Sequence, residues 1–115
     1  MKIIRSKNEN VSVKEKYFMS MNPDIRRMRD AEGTVIPVKN WMLYSDFDKD
    51  GNEQTLLSIL SEENVAYATN SRTFIESFAT LCDMFTESGE EITAIKVIGG
   101  QSKAGRHFIT CAYAE

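Results

Sequence analysis

Apolar side chains recur at three- and four-residue steps through Phe74, Ile75, Phe78, Leu81, Cys82 and Phe85, which predicts one buried face of a helix running through Thr86. Asn70-Ser71-Arg72-Thr73 precedes it as a start signal, with Thr73 and Glu76 in capping-box spacing, and Ser88-Gly89 closes it. This aromatic stripe reads as core. Elsewhere the period changes from helical to two. Thr34 to Tyr44 alternates as a strand, with Ile36, Val38, Met42 and Tyr44 sharing one face with Asn40, and Lys39, Trp41 and Leu43 sharing the other. Asp50-Gly51-Asn52 reads as a hairpin turn into a second strand, Glu53 to Leu60, and a third follows at Asn64 to Thr69. Glu91 to Ala114 reads as two more strands joined by the glycine-punctuated turn Gly99 to Gly105.

The front of the chain is less regular. Residues 1–10 are polar and read as a mobile arm or a short edge strand. Ser12-Val13-Lys14-Glu15 has the form of a capping box and predicts a short helix near 13–21. Asn22-Pro23-Asp24 offers a second helix start, after which Ile25 and Met28 give a narrow apolar face and Arg26, Arg27 and Arg29 ride opposite it. Those arginines serve either as a solvated face or as phosphate ligands.

Three strands joined by short turns, one helix and a final hairpin is the element order of an OB-fold. The expected architecture is therefore mainly β with helices: a five-stranded OB-fold barrel over residues 30–115, with one helix between strands 3 and 4. An N-terminal helical segment over 1–29 packs on the same domain. A split α+β sheet with helices on one face is the alternative.

Length and composition fit that single domain. The chain has 115 residues, 42% hydrophobic and 27% charged, with two prolines and six glycines, a globular balance. Cys82 and Cys111 lie in apolar surroundings without CxxC spacing and read as reduced core thiols. No apolar run reaches the length of a membrane span, and Met1 to Arg5 is too short for a signal-peptide core, so a cytoplasmic protein is expected.

Charge changes the picture more than composition does. The net charge is −3, yet residues 1–40 hold nine Lys and Arg against five Asp and Glu, while residues 41–115 hold five against twelve. A local anion site can survive on such an acidic chain, because screening beyond about 10 Å makes the local field decisive. The turn carrying Lys103 runs straight into Arg106, His107 and Phe108, bringing cations and a ring to one end of a β-ribbon, a mixture suited to a polyanion with flat bases. The plainer reading is a turn kept soluble by its charges. Trp41, beside Lys39, is a stacking platform if it projects outward, or is covered by the N-terminal helices.

Metal and catalytic readings find less support. Asp46-Phe47-Asp48-Lys49-Asp50-Gly51 resembles the start of a calcium loop, but Leu57 stands where the bidentate glutamate belongs and the flanks read as strands. No metal and no cofactor are expected. His107 is the only histidine and lies in a strand with no nucleophile at a suggestive spacing, so the chain is not expected to be an enzyme.

Three runs carry a resemblance: Asp30 to Lys39, Tyr67 to Phe74, and Ile95 to Ile109 with its Ser102-Lys103-x-Gly105-Arg106 turn. They resemble the small single-stranded DNA-binding proteins of phages and mobile elements in Gram-positive bacteria, over about residues 30–111. The resemblance implies an OB-fold that coats single-stranded DNA without strong sequence preference during replication, with no catalysis. Homo-oligomers and replication proteins are further candidate partners. The stacking candidates are then Trp41, Tyr44, Tyr67 and Phe108, and the phosphate candidates Lys39, Arg72, Lys96, Lys103 and Arg106. By simple alternation Trp41 and Tyr44 fall on opposite faces, so one is core unless a bulge intervenes; Trp41, Lys39, Lys103, Arg106 and Phe108 are the favoured set. The rival reading is an interaction module or inhibitor of a host factor that uses the acidic Asp46–Glu53 loop.

Overall fold

A computed structural model describes residues 1–8 and 10–115 of the chain. The described residues form seven strands and two α-helices: β1 Lys2–Ser6, α1 Val13–Ser20, β2 Arg26–Arg27, β3 Val35–Phe47, β4 Glu53–Ser61, β5 Ala66–Thr69, α2 Arg72–Glu87, β6 Ala94–Gln101 and β7 His107–Tyr113. A 3-10 turn, Met28–Ala31, links β2 to β3. The strands make one sheet in the order β2-β5-β4-β3-β6-β7, with β1 on the free edge of β3, curled into a half-barrel. The expected arm over residues 1–10 supplies β1; position 9 lies outside the described residues. No described helix is long and apolar enough to cross a membrane.

The long strand β3 organises the sheet, because its first part pairs with β6 and its remainder with β4 and β1. Between Val38 and Asn40 its register against β4 slips, so that Val38 faces Ser61 while Asn40 faces Leu60. Such a bulge inverts the alternation beyond it. Ile36 and Val38 therefore share the main core with Trp41, while Met42 and Tyr44 turn to the opposite face. This corrects the face assignment expected from strict alternation: Ile36 and Val38 do not share a face with Met42 and Tyr44.

Both faces of the sheet are covered. On one, α2 buries Phe74, Phe78 and Cys82 against Ile36, Trp41, Ile59, Ile95 and Val97. On the other, α1 places Met19, fully buried, against Met42, Tyr44, Leu60 and Ala66. Ser12 starts α1 by accepting from the Glu15 amide at 3.1 Å, and a Glu15 carboxylate oxygen accepts from the side-chain amide of buried Asn40.

Helix α2 also seals an edge that barrel closure would otherwise satisfy. Thr73 Oγ1 donates to the carbonyl of Ile109 at 2.8 Å, and the amide of Cys111 donates to Ser77 Oγ at 2.8 Å. The outer edge of β7 is thereby hydrogen-bonded by helix side chains, not by β5. The cap itself comes from Ser71, whose Oγ accepts from the Phe74 amide, so Thr73 is not the cap its spacing with Glu76 predicts.

The free edge of β5 is taken by β2, which runs parallel to it with Arg26 opposite Tyr67 and Arg27 opposite Ala68. The second helix expected after Pro23 is absent. Its place is held by this two-residue strand and the 3-10 turn, because Met28 and Ala31 drop into the core and draw the backbone taut between them.

Candidate nucleic-acid interface

The sheet ends at β2 on one side and at β7 on the other, and a groove of about 420 Å³ opens between them. That is within the size range of ligand-binding clefts. One wall comes from β2 and the turn after it. Met28, with no exposed surface, anchors the chain in the core and leaves its neighbours Arg27 and Arg29 exposed on the groove. The floor is Leu56 and Ala68 from β4 and β5, the corner before α2 adds Asn70 and Ser71, and the far wall is His107 and Phe108 at the start of β7. Arginine is well matched to phosphate because its planar fork presents paired donors.

Sign of charge distinguishes this groove from the rest of the molecule. On a chain of net charge −3 its lining, among the described residues, holds two arginines, the chain's one histidine and no carboxylate. Two acids stand at its margin: Arg27 Nε lies 3.4 Å from Asp30 Oδ2, and His107 Nε2 lies 2.9 Å from Glu32 Oε2. Arg29 has no ion-pair partner among the described residues.

Beyond the Asn70 and Gln54 side chains, which meet at 3.4 Å, a second cleft of about 420 Å³ continues toward Arg72. Arg72 is exposed and its Nε donates to Glu76 Oε1 at 2.9 Å, one turn along α2. Arginines therefore flank both ends of a path that crosses the edges of β5 and β4. Lys103 and Arg106 do not line the groove; they are exposed in the β6–β7 turn before His107, which Ser102 holds closed by accepting from the amides of Gly105 at 2.9 Å and Arg106 at 3.2 Å.

The remaining candidates scatter. Phe108 is half-buried and lines the groove, lying across its cross-strand partner Gly100. Tyr67 is half-buried against the main core. Lys39 sits at the β3 bulge and donates to Asn64 Oδ1 at 2.8 Å, and Lys96 is exposed midway along β6; neither lines the groove.

Trp41 is not an outward platform. Only 8% of it is exposed, its ring meets Phe78 edge-on at 5.2 Å between centroids, and the Arg5 guanidinium lies 5.8 Å from the ring centroid. Tyr44 is 4% exposed in the second core, and burial, with Asp46 beside it, pushes its hydroxyl above the ordinary range. The bulge that reverses β3 buries both rings, one on each face.

The sequence pattern put His107 at the end of the ribbon beside Phe108, as the structure does, but gave no sign of Asn70 and set Arg27 and Arg29 on a helix. The signal for the arginines was present as Arg27-Met28-Arg29, one apolar residue between two cations. In the acidic turn, Asp48 Oδ1 accepts from the amides of Asp50 and Asn52, both at 2.9 Å, so this carboxylate is engaged in shaping its own loop.

No curated protein and no solved structure gives a match. A family model described as phage single-stranded DNA-binding protein, of the phi29 type, matches residues 7–113, nearly the whole chain and including the segments before residue 30 that build the arginine wall. Nothing supports the rival reading of an inhibitor acting through the acidic loop. The chain belongs to the phage single-stranded DNA-binding protein family and binds single-stranded DNA in phage replication.

Proposed function

We propose that single-stranded DNA enters the seam between β2 and β7 and is held there by its phosphates and by stacking on Phe108. Arg27 and Arg29 take phosphates along one wall, Lys103 and Arg106 take them at the mouth, and Arg72 receives the strand where it leaves across Gln54 and Asn70. The observation that carries this reading is the groove lining itself: two arginines, a histidine and a phenylalanine, with no carboxylate among the described lining residues, on an acidic chain. A ring accepts any base on its π-face, and phosphate contacts carry no sequence information, so the result is a sequence-tolerant coat.

In this reading strands β3 to β7 are the five strands of an OB barrel, α2 is the helix between its third and fourth, and β1 and β2 are additions. An OB-fold binds along the face of its second and third strands and the loops at their ends, which here are β4, β5 and the turns Asp48–Asn52 and Ser102–Arg106. Trp41 and Tyr44 act as core, and Lys39, Tyr67 and Lys96 stand outside the path. The protein works by binding, without catalysis.

Photocrosslinking tests the placement. A thymidine oligonucleotide carrying 5-iododeoxyuridine is irradiated in complex with the protein and the adducts are mapped by mass spectrometry. Adducts at Phe108 and His107 are expected; adducts confined to the exposed tyrosines Tyr17 and Tyr113 would move the site elsewhere.

A further inference from the structure

His107 stands between two sets of charges that a DNA phosphate would rearrange. Its Nε2 lies 2.9 Å from Glu32 Oε2, and the Glu32 carboxylate reaches this position only because Gly99 has no side chain: a Cβ there would collide with it. Glu32 belongs to the turn entering β3, and that turn is fastened to β6 by the Gly33 amide donating to the Val97 carbonyl at 2.7 Å. The backbone that carries the carboxylate is therefore fixed beside β6, and the exposed Glu32 side chain reaches the imidazole across Gly99.

The other charges near His107 come from each neighbouring element. Arg27 and Arg29 line the same groove, with Asp30 paired to Arg27. Lys103 and Arg106 lie in the turn just before it. The corner before α2 presents Asn70 and Ser71, and the cross-strand partner is Gln101, all uncharged. In the free protein the imidazole is paired with one carboxylate, with Arg27 and Arg29 on the same groove and Lys103 and Arg106 in the turn before it. When a nucleic-acid backbone fills the groove, its phosphates neutralise those cations and add negative charge of their own, while repelling Glu32.

We propose that His107 is a proton-linked DNA contact, at which a backbone phosphate takes the place of the Glu32 carboxylate and binds the imidazolium, so that capture of single-stranded DNA draws one proton from solvent. Glu32 is the positioning residue: it holds the ring at the mouth of the groove and competes with phosphate for it. The inference rests on the groove reading above and adds to it a residue pair and a pH dependence. An imidazole titrates across the physiological range. Binding that raises its pKa is strongest at low pH and is lost as pH rises through the bound-state value, by about tenfold for each pH unit that separates the free and bound values.

The test is oligothymidine affinity, by fluorescence anisotropy at fixed ionic strength from pH 6 to pH 8, for the wild-type chain, His107→Gln and Glu32→Gln. Wild-type affinity is expected to fall several-fold across this range, His107→Gln to give a flat profile, and Glu32→Gln to bind more tightly than wild type at pH 8. The N-terminal amine lies 3.9 Å from Asp46 and is present in every variant. A pH slope that persists in His107→Gln belongs to that amine or elsewhere and overturns the proposal. Tight binding with no pH dependence in the wild type overturns it too, while leaving the groove reading intact. Absence of binding at every pH would instead remove the groove reading on which it stands.

Discussion

The ring of Phe108 lies over Gly100, its cross-strand partner, so closely that a Cβ added at Gly100 would stand 2.8 Å from Phe108 Cζ. The glycine is a seat for the ring, and no other Phe, Tyr or Trp among the described residues lines the groove. Two substitutions read this relationship from opposite sides. Phe108→Ala removes the platform and is expected to weaken oligothymidine binding by about 1–3 kcal/mol. Gly100→Ala keeps the ring but pushes its far end aside, and is expected to weaken binding while leaving the midpoint of urea unfolding near wild type. Equal affinity for all three proteins in an anisotropy titration would place the stacking elsewhere.

Trp41 is a structural residue. Its contact with Phe78 ties β3 to α2 across the main core. Trp41→Ala is expected to lower stability by about 3–5 kcal/mol, in line with large-to-small replacement of a buried aromatic. Trp41→Phe, which keeps a ring against Phe78, is expected to bind oligothymidine as tightly as wild type. Intrinsic fluorescence should then change little when the strand binds, and deep quenching by oligothymidine would count against burial.

Much of this fold was legible in the sequence because its signals were periodic. The stripe from Phe74 to Phe85, the Asp50-Gly51-Asn52 turn and the terminal hairpin each carry their own pattern, and α2, β4 and β7 lie where those patterns put them. What failed was information that does not reside in local periodicity. One bulge next to Lys39 reverses the faces of β3, and nothing in Val38-Lys39-Asn40 marks it. The Asn22–Arg29 segment carries a cap and a proline that suit a helix, yet the free edge of β5 captures Arg26–Arg27 as a strand and Met28–Ala31 closes as a 3-10 turn. The cations were visible as residue types; that Arg27 and Arg29 share one groove with His107 depends on the open end of the sheet, a tertiary feature.

The seal on the β7 edge gives a prediction about stability alone. Ser77→Ala leaves the amide of Cys111 without its acceptor in a half-buried position, at a cost of about 1–3 kcal/mol. Chemical denaturation should show this loss, while DNA affinity under native conditions stays unchanged. Loss of binding with unchanged stability would mean that α2 serves the site more directly than its contacts indicate.

Burial pushes the thiol of Cys82 from 9.0 up to about 11, with Arg5 opposing and Asp83 adding. It pushes Cys111 up to about 12, with Cys82 adding to the shift. Both folded values lie above the unfolded one, so the contribution to stability is complete below about pH 9 and is lost as pH rises through 11 to 12. Tyr44 is raised from 10.0, chiefly by burial, and acts in the same direction. Stability is thus expected to fall steeply above about pH 9 to 10, and both thiols to resist a disulfide reagent at pH 8 until the chain is unfolded. Rapid labelling of the native protein at that pH would contradict the burial.

The central claim is that DNA lies in the seam walled by the residues flanking Met28. The most direct measurement is the salt dependence of oligothymidine affinity for the wild type and for Arg27→Ala/Arg29→Ala, with thermal unfolding recorded alongside to show that both are folded. Each phosphate contact on a single strand contributes about 0.7 to the slope of log affinity against log salt concentration. The double variant is expected to bind more weakly, with a slope shallower by about 1.4. A folded double variant with wild-type affinity and slope would show that the strand does not pass between β2 and β7.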